Sequence, residues 1–197
     1  MEAAPLSNRL PLLQPDSMDQ SQRRLYEEIT APPRANGPFR IMYDDGALAG
    51  PFNALLHSPA IGNAVQALGA ALRFGGTLPD RTRELVICAV AVALEAEYEW
   101  YAHSRVALAV GVTAAELDQL RAGVLPESAS GCESAALLFT GALLREASIP
   151  DAVHAQTLEY LGHQGIVELT VLVGYYRTLA GLLAVADAPI PADPVSQ

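Results

Sequence analysis

The chain has 197 residues, 51% of them apolar, which is enough for one domain with a hydrophobic core and excludes an intrinsically disordered chain. Its formal net charge is −10 at pH 7, so nucleic-acid binding, which needs a clustered basic surface, is not expected. All twelve basic residues are arginines, which excludes Schiff-base chemistry through a lysine.

The N-terminal segment does not have the pattern of a secretory signal peptide. Residues 1–15 lack the basic region followed by an apolar run that is typical of a signal peptide. Cys88 and Cys132 lie far apart, which indicates reduced, packed thiols rather than a disulfide framework. We therefore expect a cytoplasmic protein.

In chain order, residues 1–16 are predicted to form an N-terminal arm, followed by a helix to about residue 30 and an irregular segment over 31–50. Capping and stop signals then predict a series of helices. They lie near 59–74, 79–94, 96–110, 113–121, 132–146, 151–162 and 164–186. No run alternates with the period of a strand, so the fold class is all-α, with one helical domain over 17–188 and a C-terminal tail over 189–197.

The stretch from 166 to 186 is the longest apolar run and is just long enough to cross a bilayer. Glu168 and Arg177 lie within it, and charges at membrane depth are costly. We therefore expect a helix buried in the core or in a subunit interface, and no membrane partner.

Two neighbouring predicted helices carry three candidate catalytic residues. On helix 96–110, His103 lies on the same apolar stripe as Trp100, and Glu99 precedes His103 by one turn. Glu84 begins a helix that is apolar nearly all round, so its carboxylate needs a partner, and His103 is suited to that role.

This cluster allows proton transfer, because a carboxylate can fix the tautomer of a histidine or raise its basicity. The same residues, with Trp100, could instead form a structural polar network, and both interpretations stay open. Glu99 and His103 could offer two metal ligands, but no third ligand is evident, so no metal site is predicted. Arg177, in the apolar last helix, needs a carboxylate from Glu168, Glu84 or a substrate.

Three segments carry a resemblance to a known family. Residues 78–87 (LPDRTRELVI), 97–103 (EYEWYAH) and 111–116 (GVTAAE) resemble the carboxymuconolactone decarboxylase and alkyl hydroperoxidase D superfamily, with weaker similarity outward from about residue 20 to 186. The resemblance implies a single-domain bundle of about seven to nine helices. It also implies assembly as trimers or hexamers, with the site near a subunit interface.

The hydroperoxidase branch of that superfamily has a Cys-x-x-Cys pair just before its histidine. Glu84 and His103 fall on the family's glutamate and histidine positions, whereas Ala96 and Glu99 occupy the two cysteine positions. A thiol peroxidase needs both thiols, so this activity is not expected.

The decarboxylase side of the superfamily implies a small carboxylated lactone as substrate and no cofactor. His103 would be the acid that protonates carbon or the donor to the enolate oxygen, Glu84 would orient it, and Glu99 would be a second base or a polar wall of the pocket. Trp100 and Arg177 are the residues that we expect to bind the substrate.

We therefore expect a cofactor-independent lyase, or a related proton-transfer enzyme, acting on a small lactone or organic acid. Two alternatives remain: a non-catalytic oligomer that keeps the Glu/His network for stability, and residual peroxidase-like or metal-dependent activity.

Overall fold

A computed structural model describes residues 9–32, 38–145 and 148–191. Half of the predicted N-terminal arm (1–8) and most of the predicted tail (192–197) lie outside the described residues. The described residues form eight α-helices and contain no β-strand, which confirms the all-α prediction. The helices are α1 (Gln20–Thr30), α2 (Pro51–Leu56), α3 (Pro59–Phe74), α4 (Asp80–Ala93), α5 (Glu97–Ala109), α6 (Ala114–Arg121), α7 (Gly131–Arg145) and α8 (Asp151–Ala186).

The helix boundaries follow local chemistry. Thr113 and Glu116 form the predicted capping box at the start of α6, in which each side chain satisfies a backbone N–H of the other. The predicted division into helices at 151–162 and 164–186 is confirmed, because α8 is divided by a kink at Gly162, whose φ of 64° and ψ of −178° are not helical. The short helix α2 carries no side-chain cap and was not predicted.

Helix α4 lies at the centre of the bundle and packs against α5, α6, α7 and α8. Most of its side chains are buried, because apolar residues cover nearly the whole of its surface. The largest core cluster joins α4 to α7 and α8 and contains Leu78, Val86, Ile87, Val90, Ala136, Phe139, Leu169, Leu172, Val173, Tyr175, Tyr176 and Leu179.

In the described part of the chain, α8 is the one helix whose length and apolar composition would allow it to cross a membrane. Half of its most apolar stretch is buried, because it packs against α4 and α7. Glu168 does not pair with Arg177 but accepts hydrogen bonds from the backbone N–H groups of Thr77 (2.7 Å) and Leu78 (3.2 Å), just before α4. It thereby anchors the start of α4 to α8.

Gly50 allows a close contact that the candidate site depends on. Its φ of 59° lies in the region that favours glycine, and a Cβ atom there would lie 2.2 Å from Cζ of Tyr98. The Tyr98 ring is buried against this backbone and forms part of the cavity described below.

Replacing Gly50 by alanine is expected to lower the free energy of unfolding by about 2–4 kcal/mol, from backbone strain and overpacking against Tyr98. Urea denaturation measures this loss. Gly123→Ala is the matched control, because Gly123 also has a positive φ (73°) but has no neighbour within 4 Å of an added Cβ. Equal losses in both variants would contradict a role for the Tyr98 contact.

Candidate active site

The centre of the candidate site is a buried pair between α4 and α5. Glu84 lies in the first turns of α4 and is fully buried, and His103 on α5 is almost fully buried. Nδ1 of His103 lies 2.7 Å from Oε2 of Glu84. The other carboxylate oxygen of Glu84 lies 3.4 Å from Nε of Arg83, which also pairs with Asp80 at 2.9 Å. The structure therefore brings Glu84 and His103 into direct contact within one chain.

The positive charges around Glu84 keep its carboxyl group ionised. Burial opposes ionisation of Glu84, but the charge and hydrogen bond of His103 and the charge of Arg83 outweigh it and hold the pKa of Glu84 below its usual value. An ionised Glu84 only accepts hydrogen bonds, so Nδ1 of His103 is the donor. The second ring nitrogen, Nε2, is then directed away from Glu84 and is available for chemistry.

Glu99 lies on the other side of the His103 ring, one turn earlier on α5. Its Oε2 atom is 3.6 Å from Nε2 of His103, a charge contact rather than a hydrogen bond. Burial raises the pKa of Glu99 to about 7; attraction to His103 opposes this rise, and repulsion from Glu84 adds to it. Glu99 therefore exchanges a proton near neutral pH, and His103 lies between an ionised and a protonatable carboxyl group.

Glu99→Gln is expected to stabilise the protein at pH 8 but not at pH 5. The folded-state pKa of Glu99, about 7, exceeds its ordinary value of 4.5, so its favourable contribution is fully present below pH 4.5 and is lost as the pH rises through 7. Glutamine removes the cost of the buried charge, a gain of about 2–3 kcal/mol at pH 8.

Thermal unfolding at pH 5 and pH 8 measures this difference. The matched control is Glu97→Gln, which removes an exposed carboxylate from the same turn of α5. A Glu99→Gln variant whose stability relative to wild type is the same at both pH values would contradict the assigned titration of Glu99.

His103 and Glu99 border a small cavity of about 30 Å³, which has room for about two water-sized molecules. The walls are largely aromatic: the ring centroids of His103 and Tyr176 lie 4.9 Å apart in an edge-on contact, and Phe39 lies 6.0 Å from His103 on another side. The lining residues are Phe39, Pro51, Phe52, Gly69, Arg73, Tyr98, Glu99, Ala102, His103, Tyr175, Tyr176 and Leu179.

Arg73, in the last turn of α3, is a member of this lining that sequence reasoning missed. Its Nε atom is buried and has no hydrogen-bond partner among the described residues. An arginine just before the stop signal Gly75-Gly76 is typical of a solvent-exposed helix end. The one nearby hint in the sequence is the small residue Gly69, one turn earlier on the same face of α3. The structure shows why it is small, because a Cβ atom there would lie 2.2 Å from the Tyr175 hydroxyl.

The structure places neither predicted substrate-binding residue in the cavity lining. Trp100 instead packs against the cluster between α4 and α6, with the guanidinium of Arg121 4.8 Å from its ring centroid. The expected pairing of Arg177 with Glu168 or Glu84 is not found among the described residues, and the side chain of Arg177 is exposed. Tyr175 and Tyr176 occupy the core positions of that turn, and the helical period then directs Arg177 outward.

Within the described ranges, no group of three or more His, Cys, Asp or Glu side chains is arranged to hold a metal ion.

Comparison with known proteins supports the same fold. Residues 59–142 match the carboxymuconolactone decarboxylase family. A peroxidase-related protein with an alkylhydroperoxidase AhpD core from Ralstonia eutropha JMP134 is 17% identical, with a TM-score of 0.77 over 96% of this chain and 94% of that chain. An AhpD-type protein of unknown function from Agrobacterium tumefaciens is 19% identical, with a TM-score of 0.64 over 70% and 94%.

A further similar structure is that of the debrominase Bmp8 in complex with 2,3,4-tribromopyrrole, which is 17% identical with a TM-score of 0.70 over 96% of this chain and 94% of that chain. No curated protein sequence matches the chain.

Proposed function

We propose that this chain is a cofactor-independent proton-transfer enzyme of the decarboxylase-like type, within the carboxymuconolactone decarboxylase and alkyl hydroperoxidase D-like superfamily that residues 59–142 and the fold resemble. Its substrate would be a small carboxylated lactone or organic acid. One observation carries the proposal: His103 lies between ionised Glu84 and protonatable Glu99, with the cavity beside it. This arrangement suits a group that must give a proton to carbon and recover it.

The reaction would proceed through an enolate. The bond between the substrate carbon and the departing carboxylate breaks, carbon dioxide leaves, and the electron pair moves into the conjugated carbonyl group. His103 then transfers a proton from Nε2 to carbon, while Glu84 stabilises the imidazolium through Nδ1. Glu99 lies near Nε2, on the path by which the ring recovers a proton.

Thiol chemistry is less well supported by the site. Cys88 is fully buried in the cluster between α4 and α6, and burial together with the charge of Glu84 raises the pKa of its thiol far above the usual value. A thiol that stays protonated is a poor nucleophile. Glu99 and Ala96, which is the N-cap residue of α5, occupy the positions that the hydroperoxidase branch gives to cysteine.

We also propose that the chain forms a homo-oligomer, as its family resemblance implies. Several large apolar side chains on the outer faces of α3 and α8 are exposed in the single chain: Ile61, Leu68, Phe74, Val167 and Val185. Exposed apolar area of this kind favours association. Light scattering coupled to size exclusion tests whether the mass is that of a trimer or hexamer. A non-catalytic oligomer is the second candidate function, and the assay below distinguishes it.

The test of function is an assay of the purified protein with carboxymuconolactone and a panel of related lactones and acids. Mass spectrometry follows carbon dioxide release and, in deuterium oxide, the incorporation of one deuterium at carbon. His103→Asn and Glu84→Gln are the control variants. We expect turnover by the wild type and its loss in both. A folded oligomer that turns over no compound, or turnover that both variants retain, would contradict the proposal.

A further inference from the structure

We propose that Arg73 and Glu99 together form a carboxylate-binding subsite in the cavity beside His103. The inference rests on the proposed function and deepens it, since it names the residues that recognise the acid group of the substrate. It also replaces Arg177 with Arg73 as the anchor of that group.

The first argument is that both residues have buried polar atoms without partners. Nε of Arg73 and Oε1 of Glu99 are buried and form no hydrogen bond among the described residues, and both side chains line the same cavity. A buried polar atom without a partner is costly, so native proteins rarely leave two of them in one cavity. A ligand that accepts a hydrogen bond from Arg73 and another from the Glu99 carboxyl group would satisfy both.

Two other arginines in the described part of the chain, partly buried Arg81 and buried Arg83, form ion pairs. Arg81 pairs with Glu116 and with Glu133, the latter at 2.6 Å, and it thereby ties α4 to α6 and α7. Arg83 pairs with Asp80 and Glu84. Arg73 makes no such ion pair among the described residues; its guanidinium lies 5.4 Å from the ring centroid of Phe74, and its charge acts on Glu84 and Glu99 without a direct contact. A guanidinium that borders a cavity with an unused donor is therefore available to a ligand.

The second argument is size. The cavity holds about two water-sized molecules, which matches the two oxygen atoms of one carboxylate group. Formate and acetate are therefore suitable probes, because nearly all of each molecule is the group to be recognised.

The third argument is charge. The titratable and charged groups around Glu99 are Tyr98 and His103 on its own helix, Glu84 on α4, Arg73 on α3 and Tyr176 on α8. An incoming carboxylate beside an ionised Glu99 would add a third negative charge to Glu84 and Glu99. A protonated Glu99 removes this repulsion, and its Oε1–H becomes a donor to the ligand while Oε2 faces Nε2 of His103.

Proton uptake on binding follows from this arrangement. The pKa of Glu99 is about 7 in the free protein, and a bound anion raises it further. Below pH 6, Glu99 is already neutral, so the affinity for formate is expected to be independent of pH. Above pH 7, each unit of pH is expected to weaken binding by about tenfold, because one proton must be bound with the ligand.

The chemistry of Arg73 also identifies which carboxylate it holds. Pairing with a guanidinium stabilises an anionic carboxylate in the ground state and therefore opposes the loss of carbon dioxide from it. Arg73 is thus suited to a carboxylate that the substrate retains, and it acts as a positioning group while a second acid group leaves.

The experiment is a calorimetric or NMR titration of the intact protein with formate and acetate, and with the neutral analogues formamide and acetamide, from pH 5.5 to 8.5. Calorimetry in two buffers of different ionisation enthalpy counts the protons taken up. For the wild type we expect binding of the acids, at least tenfold preference over the amides, and uptake of about one proton above pH 7.5.

Arg73→Gln is expected to weaken formate binding by about 10- to 100-fold, the effect of losing one charge-assisted pair. Arg73→Lys, which keeps the charge without the planar donor group, covers the case in which glutamine impairs folding, and it should weaken binding to a smaller extent. Glu99→Gln is expected to keep the affinity within about threefold of the wild type at pH 6 and to abolish the pH dependence. Arg145→Gln, at the exposed end of α7, is the matched control for the loss of one positive charge.

Three results would overturn the subsite: no acid binding up to 100 mM, equal binding of amides and acids, or unchanged affinity in both Arg73 variants. An affinity that falls in Arg177→Gln instead would restore the sequence-based assignment. Formate binding in a protein that turns over no compound of the panel would leave the subsite standing and overturn the proposed function. If the wild type turns over a compound of the panel and the Arg73 variants bind formate as tightly as the wild type, the proposed function would stand and the subsite would be overturned.

Discussion

In the His103→Asn variant, we expect turnover to fall by about 10²- to 10⁴-fold while the midpoint of thermal unfolding stays within a few degrees of the wild type. The expected loss in rate is the usual effect of removing a general acid or base. Asparagine can still donate a hydrogen bond to Oε2 of Glu84 from a position close to that of Nδ1, so the buried carboxylate keeps a partner. Asparagine cannot act as a general acid or base, so this variant separates the catalytic role of His103 from its structural role.

His103→Ala provides the contrast, since it removes both functions of the imidazole. It leaves Glu84 with Arg83 as its remaining ion-pair partner, so we expect a loss of stability as well as of turnover. Thermal unfolding measures the stability of both variants, and a steady-state assay with a panel compound that the wild type turns over measures their activity. A His103→Asn protein that is as unstable as His103→Ala yet fully active would favour a purely structural Glu/His network.

Replacing Glu84 by alanine is expected to lower the free energy of unfolding by about 3–5 kcal/mol, the largest loss of stability predicted for this protein. The side chain is fully buried, and its removal leaves His103 and Arg83 in a low-dielectric interior without their shared carboxylate. The loss of packed volume in the core adds to the effect.

Glu84→Gln keeps the shape and one acceptor oxygen, so it isolates the contribution of the charge. Because the folded-state pKa of Glu84 lies below its ordinary value of 4.5, the charge stabilises the protein fully above pH 4.5. That stabilisation is lost as the pH falls through the lower, folded-state pKa. The difference in stability between wild type and Glu84→Gln should therefore be largest at neutral pH and shrink in acid.

Urea denaturation at pH 7 and at pH 4 tests this dependence. A difference between wild type and Glu84→Gln that grows in acid would show that Glu84 is neutral in the folded protein. In that case Nδ1 of His103 would not be fixed as a donor, and the proposed role of Nε2 would lose its basis.

The pairing of Glu84 with His103 could be expected from the sequence because both helices have strong local patterns. A carboxylate at the start of a nearly all-apolar helix has to be buried, and a histidine on the apolar stripe of the next helix is close by in the chain. The same kind of local signal predicted the start of α6 at Thr113 and the separation of two helical segments at Gly162, where the structure has a kink with non-helical backbone angles.

Arg73 and Arg177 show where local patterns are insufficient. Each lies on a helix with a broad apolar surface, and the period of a helix specifies only which residues share a face. The cavity is formed where α2, α3, α5 and α8 meet, between residues as distant in sequence as Phe52 and Tyr176. Contacts over such separations depend on how whole helices pack against one another.

The sequence by itself therefore determined the helical class, most helix boundaries and the Glu84–His103 pair, because these depend on periodicity, capping and the burial of one charge. Only the tertiary structure decided that Arg73 borders the cavity, that Trp100 packs against α6 and that Arg177 faces outward. The physical reason is that a side chain at the margin of an apolar face is buried or exposed according to the neighbouring helix that covers it, and no local pattern encodes that neighbour.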